Sequence, residues 1–182
     1  MTCFGPHIVG ETLFFLPVVQ HVKVGEVDGV TINVVDYCGI KADPDFDKVV
    51  DSWTTANTAG FNEDEFLAFF INAYNIFTIQ TIIKHAKLPG GQCIKGIRDI
   101  GFDLPIQVAG SNTTLDQIEL WLRNPRKYGW DFDEDCRIHG CIVCASVSCP
   151  NVRPEVYQPD HDKLNAQMSS NVRNWLAGWL ID

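Results

Sequence analysis

The sequence predicts a helix-rich α+β domain with a small, mainly antiparallel sheet. Three observations carry that class. The stretch from Phe66 to Ile83 is long, apolar and free of glycine and proline, as a buried helix requires. Two β-branched runs, VKVGEV and VTINVV, flank Asp28-Gly29, a favoured two-residue hairpin turn. No repeat, low-complexity tract or Gly/Ser linker divides the 182 residues, so these elements must share one core. The expected layout is an N-terminal hairpin and extension over residues 1–33, packed on a domain spanning residues 34–182.

Taken in order, Val22 to Val35 read as the hairpin. Asp43 to Trp53 predicts a short amphipathic helix with Pro44 at its first position. Asn62 is placed to cap the strongest helix, with Glu65 three residues on, and Pro89-Gly90-Gly91 stop it after about Lys87. Ile106 to Val108 reads as a short strand before a turn at Gly110-Ser111-Asn112. Thr114 with Gln117 forms a second capping box, opening a helix to about Arg123 with a Glu119–Arg123 pair on its surface. Ile138 to Val143 is β-like. Asp160 to Trp179 predicts a terminal helix with Leu164, Met168, Val172, Trp175 and Trp179 along one face.

Composition narrows the function classes. Hydrophobic residues make up 46% and charged residues 20%, which argues against a disordered chain. A formal net charge of −9 repels phosphate backbones and anionic lipid, so neither nucleic acid nor membrane is expected as a partner. Asn72, Asn75 and Gln80 interrupt the apolar stretch, which favours a core helix over a membrane span. Met1 to Gln20 lacks the positive start of a signal peptide. Seven cysteines, four of them between Cys136 and Cys149, make a poor disulfide framework, so reduced thiols and a cytoplasmic location are expected. Neither a phosphate-cradling Gly loop nor a GxSxG or HExxH motif is present, and no cofactor is expected.

The chemistry-bearing residues concentrate between Arg137 and Tyr157. In one reading Cys149 is a nucleophile and His139 its base, with Pro150 opening a helical turn whose positive end faces the thiol. Cys144, followed by Ala145 and Ser146, is the alternative nucleophile. In a second reading His139, Cys141, Cys144 and Cys149 bind zinc, though all four fall within eleven residues. In a third, Cys141 and Cys144 are a redox pair. Against these stands the reading that free cysteines simply fill a core. Asn72 and Asn75 share a helix face in an apolar background. They either tie a loop's backbone to the core or orient a catalytic imidazole. Arg98 and Asp99, set between Ile97 and Ile100, form an ion pair that orders a loop or binds an anion.

Six segments, in order, resemble the family of the domain of unknown function 547. They are VDY at Val35–Tyr37, AFFINAYNIFTI at Ala68–Ile79, IRDI at Ile97–Ile100, TLDQIE at Thr114–Glu119, RIH at Arg137–His139 and CASVSCPNVRPEVY at Cys144–Tyr157. No established activity comes with that resemblance. It implies that Asn72, Asn75, Arg98, Asp99, Arg137, His139, Cys144, Cys149, Pro150, Arg153 and Tyr157 sit on motif positions. Cys141 departs from the pattern, as do Leu120, where a histidine is frequent, and Gly140, where an aromatic residue is usual. The resemblance also implies a rearranged papain-like or transglutaminase-like arrangement, with the cysteine after the histidine. The leading expectation is therefore a thiol-dependent hydrolase or acyl transferase with Cys149 as nucleophile, His139 as base and Asn72 (or Asn75) as orienter. Arg98, Asp99, Arg137, Cys144, Ser148, Arg153 and Tyr157 shape its pocket, and the substrate is a small molecule or peptide. The alternatives are a non-catalytic module that binds a protein partner and a small zinc-stabilised domain.

Overall fold

The computed structural model describes Val18 and residues 20–27, 30–85, 101–146 and 148–178. A hairpin of β1 (Val22–Val27) and β2 (Val30–Val35) leads into two short helices, α1 (Tyr37–Ala42) and α2 (Phe46–Thr54). The long helix α3 (Glu63–His85) follows. A second small hairpin, β3 (Ile106–Val108) and β4 (Ser111–Thr113), precedes α4 (Leu115–Arg123). Two 3-10 turns, Pro125–Tyr128 and Cys136–Gly140, lead to the last helix, α5 (His161–Gly178). Both hairpins are antiparallel.

Helix α3 is the axis of the core. Every residue from Phe66 to Ile83 is buried. A helix that is apolar on all sides must be enclosed on all sides, and here the chain's own elements do the enclosing. Its length and composition would also suit a membrane span. Phe66 stacks among Phe70, Trp130 and Phe132, while Phe69 packs against Trp53 and Phe61. The expected capping box starts it: Glu65 N–H donates to Asn62 Oδ1 and Asn62 N–H to Glu65 Oε2, both at 2.9 Å.

Several elements differ from expectation. Pro44 lies in the turn before α2 rather than inside it, and α1 precedes that turn. Half of the second capping box forms: Gln117 N–H donates to Thr114 Oγ1 at 3.1 Å, while Gln117 Nε2 is buried without a partner. The small hairpin turns at Ala109-Gly110, both with positive φ (50° and 73°), so Ser111 and Asn112 belong to a strand. That turn docks on the end of α2, where the Ala109 and Gly110 N–H groups donate to the Trp53 and Thr54 carbonyls at 3.0 and 2.7 Å. The β-like stretch at Ile138 is not a strand: Cys136–Gly140 is a 3-10 turn capped by Asp135, whose Oδ1 accepts from Arg137 N–H at 2.8 Å. The Asp28-Gly29 turn, Trp179 and the Ile97–Ile100 segment lie outside the described residues.

Candidate functional site at the Cys144–Cys149 loop

The described residues between 140 and 157 have little regular structure, so their backbone groups need partners from elsewhere. Buried asparagines of α3 supply them. Asn75 Nδ2 donates to the Cys141 carbonyl and Asn75 Oδ1 accepts from Val143 N–H, both at 2.9 Å. Asn72 treats Tyr157 the same way, donating to its carbonyl and accepting from its N–H at 2.9 Å. Each carboxamide thus replaces a neighbouring strand. From the other side Asn171, buried on α5, donates to the Gly140 carbonyl at 2.5 Å and to the Asn151 carbonyl at 3.3 Å. Gly140 is required by that contact, because a Cβ there would lie 2.4 Å from Val172 Cγ2 and 3.2 Å from Val172 Cα.

The arginines serve the same frame. Arg137 binds Asp135 and reaches Ser169 Oγ at 2.8 Å and Asn165 Oδ1 at 2.7 Å. Burial alone would raise the Asp135 carboxyl, but the hydrogen bonds and charge of Arg137 outweigh it and hold that carboxyl below its usual range. Arg153 reaches Ser170 Oγ at 2.8 Å and pairs with Glu155 at 3.1 Å. The asparagine near the site is therefore a backbone clamp: the amide of Asn72 faces Tyr157 rather than an imidazole. Arg137 and Arg153 are engaged with α5 and local carboxylates rather than open to a substrate anion. His139 is exposed on the 3-10 turn. Arg98 and Asp99 lie outside the described residues.

The clamps grip immediately outside two cysteines. Val143 is held by Asn75, while Asn151 Oδ1 accepts from Asn33 N–H and the Val152 carbonyl from Asn33 Nδ2, both at 2.9 Å. Between them Cys144 and Cys149 are joined by a disulfide, with Cα atoms 6.3 Å apart. The expectation of reduced thiols is corrected at this pair. Spacing alone undervalued it, because the brackets at both loop ends set the distance. Inside the loop Ala145 has a left-handed φ of 57°, Cys149 N–H donates to the Ser146 carbonyl at 2.9 Å, and Trp175 Nε1 donates to the Ser148 carbonyl at 3.2 Å. No helix follows Pro150, so the helix dipole expected at Cys149 is absent.

Cys149 lines a cleft of about 180 Å³ between β2 and the loop. Ile32, Val34, Val35, Val143 and Val152 make its walls largely apolar, and Tyr37 and Ser146 add hydroxyls. Burial pushes the Tyr37 phenol up to about 12, so it keeps its proton at neutral pH. Cys141, by contrast, is buried under Tyr157, and burial pushes its thiol up to about 11. Among the described residues no group of three or more His, Cys, Asp or Glu side chains is placed to hold a metal ion. A second groove, bordered by Glu63 and residues 131–137, is acidic, but Arg126 already pairs with Asp131 at 3.0 Å and Asp133 at 2.6 Å.

Asn33 and Asn171 were not singled out by sequence, and Tyr37 and Asn151 entered only as members of resembling segments, with no role given to either. Asn171 had a signal: it falls three residues after Met168, on the apolar face of the last helix. A model of the family described as "Protein of unknown function, DUF547" matches residues 58–176, which takes in Asn72, Asn75, Asn171 and the cysteine loop but not Asn33. No curated protein and no solved structure matches the chain.

Proposed function

The chain belongs to the DUF547 family, and from that premise we propose that it is a thiol-dependent hydrolase or acyl transferase whose nucleophile is Cys149. The observation that supports this reading is the position of Cys149: it lines an apolar cleft on a loop bracketed at both ends. Such bracketing is what a preorganised nucleophile needs. In the reduced protein the Cys149 thiolate attacks an acyl carbonyl and a thioester forms. The leaving group departs and takes up a proton. Water, or an acceptor nucleophile, then releases the acyl group and returns the thiol. Tyr37 lines the cleft with Cys149, whereas His139, the base expected from the sequence, is exposed on its 3-10 turn and does not line the cleft. A cleft of this volume suits a small acyl group or one residue of a peptide rather than a long chain.

The test is hydrolysis of p-nitrophenyl acetate by the reduced protein. Cys149→Ser abolishes turnover above background and Cys144→Ser does not. Equal turnover by wild type and Cys149→Ser would sink the proposal. A second reading, a non-catalytic module that binds a protein partner, is favoured by the engagement of Asn72, Asn75, Arg137 and Arg153 in holding backbone. It predicts no thiol-dependent turnover at all.

A further inference from the structure

We propose that the Cys144–Cys149 disulfide is a reversible switch, closed by oxidation and opened by exchange with an external dithiol, that controls whether the Cys149 thiol is free. The control of turnover rests on the reading of Cys149 as nucleophile; the reversibility of the bond does not.

Three features support it. The brackets on Val143, Asn151 and Val152 lie outside the two cysteines and involve neither sulfur. Opening the bond therefore leaves the loop ends held, and the two thiols stay at high effective concentration for reclosure. Neither cysteine sits in a helix or strand, and both are partly exposed, so an incoming thiolate can reach the bond without unfolding the core. The two sulfurs also differ in access, because Cys149 borders the cleft and Cys144 does not.

One thiolate of the dithiol attacks Cys149 Sγ from the cleft, the S–S bond breaks, and Cys144 leaves as a thiolate. The second thiol of the reductant then displaces Cys149, so the dithiol is oxidised to a disulfide and two electrons and two protons pass to the pair. A peroxide closes the bond: the Cys149 thiolate attacks a peroxide oxygen, the O–O bond breaks, the peroxide is reduced to water or an alcohol, and the resulting sulfenic acid is attacked by Cys144 with loss of water.

The experiment equilibrates the full chain in buffers of varied reduced-to-oxidised dithiothreitol ratio. Acid quenching, N-ethylmaleimide labelling and peptide mass analysis follow, with p-nitrophenyl acetate turnover measured in parallel. The expected result is one transition in which Cys144 and Cys149 lose their labels together, while Cys38 and Cys136 stay labelled and the far-ultraviolet dichroism is unchanged. Cys144→Ser, which cannot close the bond, keeps a labelled Cys149 across the series. Cys144 and Cys149 labelled at every ratio, or paired only between chains, would overturn the switch. Joint loss of labels without turnover at any ratio supports the reversible bond and removes the hydrolase reading. Turnover that ignores the ratio overturns the control.

Discussion

Replacing Asn75 by alanine tests the clamp that frames the site. The side chain is 95% buried, as a relative accessibility of 5% implies, and its amide makes two hydrogen bonds of 2.9 Å to the Cys141 carbonyl and the Val143 N–H. Alanine leaves that carbonyl and that N–H without partners in an apolar setting. Each orphaned group costs about 1–3 kcal/mol, so the loss of stability should be about 2–6 kcal/mol. Aspartate sharpens the reasoning. Ionised, it repels the Cys141 carbonyl and is a buried charge; protonated, it donates to that carbonyl and still accepts from Val143. Burial raises its folded pKa above the unfolded value, so Asn75→Asp should be impaired at neutral pH and recover stability as pH falls through that raised pKa. Urea denaturation followed by tryptophan fluorescence, at neutral and mildly acidic pH, measures both. A cost below about 1 kcal/mol for Asn75→Ala would refute the clamp.

Other consequences are independent of chemistry at the thiol. Gly140→Ala places a Cβ 2.4 Å from Val172 Cγ2 and 3.2 Å from its Cα, and it should lower stability by about 1–3 kcal/mol in the same urea assay. Ala109→Asn creates the favoured Asn-Gly turn at a φ of 50° and should raise stability by about 0.5–1 kcal/mol, with a higher melting temperature. Alkaline pH should destabilise the fold. The Cys141 thiol rises from 9.0 to about 11 and the Tyr37 phenol from 10.0 to about 12, so the unfolded chain releases these protons first. Stability then falls from about pH 9 upward, by about 1.4 kcal/mol per pH unit for each group in its window. Urea midpoints that stay level from pH 8 to 11 would contradict this, and Cys141→Ala should remove the earliest part of the fall.

The helices were legible because their signals are local. Asn62 and Glu65 reveal the start of α3, and an unbroken apolar run reveals its burial. The Cys136–Val143 region misled for the converse reason. Its β-branched residues suit a strand, but among the described residues no strand pairs with it, and side chains of Asn75 and Asn171 satisfy its backbone from helices far along the chain. The site was half legible. Asn72 and Asn75 stood out as amides among apolar residues, yet residue type cannot tell a backbone clamp from an imidazole orienter. The disulfide was hidden because spacing says nothing about brackets, and those brackets come from Asn33 and Asn75.

Competitive alkylation of the reduced protein tests the central claim most directly. Limiting iodoacetamide near pH 6, followed by peptide mass analysis, ranks the thiols within one molecule. An activated nucleophile in the cleft should be modified at least about tenfold faster than the exposed Cys38 and Cys136, with buried Cys141 slowest. Modification of Cys149 no faster than that of Cys38 and Cys136 would contradict the account.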